Sequence, residues 1–274
     1  MKLTRLLAAI CIILVFSSCK NDPNSLSPIN SESFNEKQIQ IDFQPSQTEV
    51  HDSLLTLTQE QNLTLKELDE MLLMTDKIRK LHSDSLWNRL TRKWTEFNTN
   101  YFGTDRTPYS VKGSSTDSLK NKLFPEATLK WVELNVGLVK LSEEVRFGDV
   151  LEILLYRTQA VVFPDQLLKS VIFTHVFDQI YINVIGSSTM EYQHTTGGNV
   201  KLIQETTYPK GNEMILKCEC NDLRYMDVFI RIPSWAVNPS VTHGNIKYVA
   251  RPGDYCQISK QWLTGDVIKV ILRN

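Results

Sequence analysis

The sequence predicts an α+β protein in which a helical part is followed by an antiparallel β-sandwich. Three observations carry that expectation. Apolar residues repeat at helical spacing up to about residue 177, the period changes to two after Asp178, and short strand-like runs then recur at about ten-residue spacing between turn residues. The composition permits a packed core, with 42% hydrophobic and 22% charged residues over 274 positions. Thirty basic against 31 acidic side chains leave a net charge of −1. Such a chain has no positive field with which to release counterions from a phosphate backbone, so nucleic acid is not an expected partner.

Lys2 and Arg5 precede an apolar run from Leu6 to Phe16, followed by Ser17, Ser18 and Cys19. This is a secretory signal pattern. A helix of about 11 residues reaches roughly 16 Å, short of a hydrocarbon core of about 30 Å, so the run targets and does not span. Small residues directly before a cysteine resemble a bacterial lipobox. That resemblance implies a signal peptide over 1–18, lipidation of Cys19 and an envelope protein held at the outer membrane, on its periplasmic or surface face. An ordinary secretory cleavage site with an incidental cysteine is the alternative. Residues 19–50 are rich in Asn, Ser, Pro, Gln and Glu and predict a flexible tether, because they have little apolar surface to offset the entropy of ordering.

The helical domain is expected over 51–177. Thr64 and Glu67 read as a capping box, and Leu65, Leu68, Leu72, Leu73 and Ile78 continue a helix over 64–81. Leu86, Leu90 and Trp94 step by four through a second helix over 84–97. Residues 98–124, with Gly103, Pro108 and Gly113, predict a long loop. Pro125 and Glu126 suit the first turn of a third helix, whose stripe is Leu129, Val132, Val136 and Val139. Helices over 146–157 and 164–177 complete this half.

The sandwich is expected over 178–274, with strands at 181–185, 200–206, 214–220, 226–232, 255–259 and 267–272. Alternation over 214–220 turns Cys218 and Cys220 to the core, and Cys256 shares a face with Ile258. Buried thiols, a disulfide of Cys256 with Cys218 or Cys220, and a thiolate metal site with His243 as the only nearby histidine are the open readings.

Three blocks carry a family resemblance: Gln204-Glu205-Thr206-Thr207-Tyr208-Pro209, then Arg231-Ile232-Pro233-Ser234-Trp235, then Gly253, Tyr255, Ile258, Trp262, Gly265 and Asp266. In order and spacing they resemble glycoside hydrolase family 127. Trp131 to Asn135 and Arg146 to Glu152, running to Leu155-Tyr156, are similar to paired helices of the same family. The resemblance implies a helical remnant of an (α/α)6 barrel followed by a β-sandwich, and descent from retaining β-L-arabinofuranosidases that hold zinc through a Glu-x-Cys pair and a Cys-Cys-Pro segment. Here the matching positions read Glu126-Ala127-Thr128 and Val162-Phe163-Pro164, and 98–125 contain no glutamate to act as acid/base, only Asp105 and Asp117. No metal is therefore expected, the family's zinc included, and Glu126 is either a surviving ligand position or a helix-start anion.

Other carboxylates offer no replacement. Glu126 and Glu133 lie about 10.5 Å apart along a helix, beyond the roughly 5 to 5.5 Å of a retaining pair. Glu143, Glu144, Asp149 and Glu152 are expected on a solvated face, and His51, His82, His175, His194 and His243 have no ligand spacing. Trp94, Tyr101, Tyr109 and Trp131 are the candidate sugar-stacking residues, while Trp235 and Trp262 are expected as packing fillers. Three functions follow: a glycan-associated envelope lipoprotein without the family's chemistry, with carbohydrate and the membrane as partners; a residual glycosidase acting on arabinose-containing glycans; or a decayed remnant.

Overall fold

The change of period after the helices comes earlier than the sequence suggests, at Phe173 rather than Asp178. The computed structural model describes residues 30–43, 59–102, 125–157 and 163–273. In chain order these form β1 (Glu32–Ser33), a 3-10 turn at Glu36–Gln38, β2 (Ile39–Ile41), α1 (Gln59–Leu81), α2 (Asp84–Phe102), α3 (Pro125–Leu141), α4 (Val145–Arg157) and α5 (Asp165–Ile172). There follow β3 (Phe173–Val176), β4 (Gln179–Ile182), β5 (Ser188–Gln193), β6 (Asn199–Thr206), β7 (Glu213–Cys220), β8 (Arg224–Ile232), β9 (Val237–His243), β10 (Ile246–Tyr248), β11 (Asp254–Trp262) and β12 (Val267–Arg273). The strands lie in two sheets, ordered β1-β3-β4-β8-β11 and β10-β9-β12-β7-β6-β5-β2. All pairings are antiparallel except that of β4 with β8. The α+β class and the helices-then-sandwich order are as expected.

Several boundaries need correction. α1 begins at Gln59, so Thr64 lies inside the helix, buried, rather than at its start. α2 runs on to Phe102, into the expected loop. The last helix stops at Ile172, where Phe173, Thr174 and Val176 favour the extended chain and pair with β4 from Phe173↔Ile182 to Val176↔Gln179. The largest correction concerns the tether. Residues 32–41, inside the span read as flexible, edge both sheets: Ser33 pairs with Thr174, and Ile39 with Met190. Phe34 and Ile39 are buried, so two apolar side chains supply the burial that composition alone does not reveal.

The helical half packs around aromatics. Trp94 and Trp131 stack at 5.7 Å, Phe147 meets Trp94 edge-on at 5.0 Å, and Phe97 lies 4.6 Å from Trp131. Trp94 Nε1 donates to Asn135 Oδ1 at 2.9 Å, which satisfies its polar edge inside the core. In the sandwich, Met214, Leu216, Cys218 and Cys220 of β7 are buried as the alternation requires, as are Met226, Val228, Ile230 and Ile232 of β8. Trp262 is fully buried and donates from Nε1 to the Met226 carbonyl at 3.1 Å. Gly265, at φ 97, closes the turn into β12, where Asp266 accepts the Leu263 N–H at 2.9 Å.

The docked segment makes a direct prediction. Phe34→Ala should lower unfolding stability by about 3 to 5 kcal/mol, the range for a truncated core phenylalanine, with the midpoint read by urea denaturation. A free tether would leave that midpoint unmoved.

Candidate functional site

The strongest concentration of buried charge lies where α4 meets β8. Even positions of β8 face the other sheet, which turns Arg231 toward the helices. Its side chain is fully buried, as are those of Asp149 and Glu152 on α4. Nη1 pairs with Asp149 Oδ1, Nη2 pairs with Glu152 Oε1, and Nε donates to the Asn183 carbonyl at 2.5 Å. The spacing of Asp149 and Glu152, three apart on one helix face, presents both carboxylates to one guanidinium. Backbone donors complete them: Ser234 N–H reaches Asp149 Oδ2 at 3.2 Å and Ile185 N–H reaches Glu152 Oε1 at 3.3 Å. Tyr208 donates its hydroxyl to Glu152 Oε2 at 3.2 Å. Tyr255 donates to Asn183 Oδ1 at 2.6 Å, and Asn183 Nδ2 donates to the Val171 carbonyl at 2.8 Å.

Gly148 makes room for this arrangement. A Cβ there would lie 2.6 Å from Arg231 Cδ and 2.8 Å from Nε, so any side chain displaces the guanidinium stem. Burial raises the Glu152 carboxyl, a shift that the Arg231 charge opposes. Burial likewise disfavours the Arg231 cation, but the Glu152 and Asp149 carboxylates more than offset it. Burial, reinforced by the Glu152 charge, pushes the Tyr208 hydroxyl up. The cluster is sealed from solvent, and its chemistry is that of a structural ion pair with hydrogen-bonded oxygens rather than of an accessible acid/base pair.

The solvated face expected for the acidic cluster is thus corrected. Glu143 is exposed and accepts from the Tyr181 hydroxyl at 3.0 Å, and Glu144 pairs with Arg146. Asp149 and Glu152 are core residues, buried because a cation 82 positions after Asp149 meets them. Two stacking candidates are corrected as well. Trp94 and Trp131 are buried in the helical core and present no face to a sugar. Tyr101 lies in the last turn of α2, but its side chain is outside the described residues, as are Tyr109, Cys19, Asp105, Asp117 and Val162. The disulfide reading is also corrected: Cys218, Cys220 and Cys256 are free, buried thiols. Cys218 and Cys220 approach to 4.0 Å between sulfurs, on a different sheet from Cys256. Burial pushes Cys256 up to about 12, which leaves it a poor nucleophile and a poor ligand at neutral pH.

At the positions that the family resemblance assigns to zinc, the donors do not fit. Glu126 is exposed at the start of α3, Thr128 is buried two residues further on, and Phe163 is buried just before α5. A catalytic zinc site normally takes about three nitrogen, sulfur or carboxylate ligands, and only Glu126 among these side chains is one. No group of three or more His, Cys, Asp or Glu able to hold a metal occurs among the described residues. The other charge clusters are local pairs. His194 Nε2 lies 3.3 Å from Asp178, and Asp266 receives His243 at 2.9 Å and Lys260 at 2.7 Å.

The role of the Arg231 cluster escapes sequence reading, which meets Arg231 only inside a family-like block. The available signal is its place in a strand whose neighbours Phe229, Ile230 and Ile232 are all apolar, a context in which an arginine needs partners. Replacing it with methionine should cost about 3 to 5 kcal/mol at neutral pH, because two buried carboxylates lose their cation. Without the cation Glu152 stays protonated to higher pH in the folded state than in the unfolded state. Stability in the variant is then fullest below the unfolded carboxylate value and falls as pH rises, so its deficit should grow from about pH 5 to about pH 7.5. Chemical denaturation at both pH values measures this.

Residues 179–273 match the family model described as the GH127 middle domain of β-L-arabinofuranosidases. Among solved structures, a glycoside hydrolase superposes with a TM-score of 0.59 at 15% identity, over 81% of this chain and 48% of that one. A GH127 β-L-arabinofuranosidase from Geobacillus stearothermophilus T6 gives 0.55 at 17%, over 75% and 41%. A further GH127 β-arabinofuranosidase gives 0.56 at 17%, over 77% and 42%. No curated protein matches the sequence. The chain spans less than half the length of these solved structures. The resemblance to glycoside hydrolase family 127 therefore holds: in sequence over the family's middle domain, and in fold across the helices and the sandwich together.

Proposed function

We propose that this protein is a glycan-associated lipoprotein of the cell envelope that keeps the family's architecture without its zinc and cysteine chemistry. One observation carries the reading: the GH127-like fold is retained while Thr128 and Phe163 stand where the resemblance expects thiolates. Losing the nucleophile and the acid/base removes two separate contributions to rate, the second alone being about 10² to 10⁴-fold. The charged groups at the junction of the two halves are sealed and committed to one another. Cys19, after the signal-like segment, is the proposed lipid attachment, with the outer membrane as the proposed location.

Two measurements test this. The protein should release no L-arabinose from β-linked substrates above the buffer rate, with or without added zinc. Release that Glu126→Gln abolishes would overturn the reading in favour of a residual glycosidase. In a thermal melt, arabinose-containing oligosaccharides should stabilise the protein, by about 2.7 kcal/mol at a hundred times the dissociation constant. For the anchor, Cys19→Ser should move the protein from the membrane to the soluble fraction.

A further inference from the structure

The hairpin between β3 and β4 turns on two residues, Phe177 and Asp178, since Val176 and Gln179 are directly paired. Phe177 sits at φ 54. A bulky residue in this left-handed region is a steric outlier, and the first position of so tight a turn usually carries Asn, Asp or Gly. Phe177 is also 79% exposed, so its ring recovers almost nothing by burial. Neither the turn nor the core accounts for a phenylalanine here.

What lies beside it does. The hairpin borders a cavity of about 230 Å3, whose lining includes Phe177, Val176 and Tyr192 on its apolar side. Asn30, Glu32 and Gln193 line it as well and are exposed polar side chains. The walls are fixed. His175 stacks on Phe34 at 4.3 Å with Nδ1 3.3 Å from the Phe177 carbonyl, and Asp178 accepts from the Thr195 N–H at 3.2 Å and the Tyr192 hydroxyl at 3.4 Å. An exposed ring, apolar walls and a rim of amide and carboxylate oxygens match a sugar, which has an apolar C–H face and an edge of hydroxyls. The volume is below the roughly 300 Å3 at which pockets for drug-sized ligands begin, a size for a single ring. Among the described residues no Lys or Arg lines the cavity, while Glu32 and Asp178 do, which selects against acidic sugars.

We propose that this cavity is a subsite for one neutral sugar residue of a glycan, with Phe177 as its stacking platform. The proposal rests on the glycan-associated reading and gives it a place on the five-stranded sheet, at the β3–β4 hairpin. The test uses the full chain with L-arabinose, D-galactose and a linear arabino-oligosaccharide, and with oligogalacturonate as the charged control, by calorimetry and thermal melt. The wild type should bind at least one neutral probe and not the control. Phe177→Gly relieves the turn, so this variant should melt at or above the ligand-free wild type while losing about tenfold or more in affinity, as truncation of an anchoring aromatic does. Gln193→Ala should weaken binding by a smaller factor with an unchanged melt. Neutral sugar binding that Phe177→Gly leaves intact would overturn this subsite and spare the glycan reading. Absence of binding to every neutral probe would overturn both, and preferred binding of oligogalacturonate would overturn the subsite's chemistry.

Discussion

The Arg231 guanidinium, buried between Asp149 and Glu152, is the constraint around which the two halves of the protein are arranged. Charges of this kind are tolerated in a core only when every one is answered. The answer here comes from four separate parts of the chain: α4 supplies the carboxylates, β8 the cation, and the segments around Asn183 and Ser234 the backbone oxygen and N–H that fill the remaining positions. The geometry leaves little freedom in how the helices approach the five-stranded sheet. Displacing α4 would separate three charges at once, whereas sliding an apolar contact costs far less. Tyr208 extends the same network toward the other sheet and stacks on Trp235 at 5.9 Å.

Such a junction holds the two halves together independently of the positions that the family resemblance assigns to zinc. The groups that hold the architecture, Gly148, Asp149, Glu152 and Arg231, are distinct from those at which the resemblance places zinc and nucleophile. Thr128 and Phe163 fit into the packing as ordinary buried side chains. A change of side chain at either position would leave the ion pair undisturbed, since sites without shared partners contribute nearly independently.

The long elements were legible in the sequence because periodicity accumulates with length: α1 and α3 run for 23 and 17 residues, enough for several repeats. The strands β6, β7 and β12 were legible for the same reason. β1 and β2 span two and three residues, too short for any period, and they are strands only because β3 and β5 offer free edges. The sidedness of Cys218 and Cys220 followed from alternation, but whether a thiol is paired depends on the opposite sheet. Trp94 and Trp131 were misplaced because an aromatic reads alike whether it faces solvent or a partner helix. Asp149 and Glu152 were misread for a related reason: composition assigns charge to the surface, and the exception depends on Arg231, a residue far along the chain. Phe177 carried no local signal at all, since its strain exists only once the hairpin closes.

The early segment that edges both sheets has a consequence for the order of assembly. Ser33 finds its partner at Thr174 and Ile39 at Met190, so about two thirds of the chain must exist, and a span of roughly half of it must close, before either contact can form. Loop closure over such a span is entropically unfavourable, and contacts distant in sequence form late in folding. The residues made first among those described are therefore among the last to settle. Until they do, Phe34 and Ile39 remain uncovered and the edges at β3 and β5 stay open, an interval in which unpaired strand edges can recruit another chain.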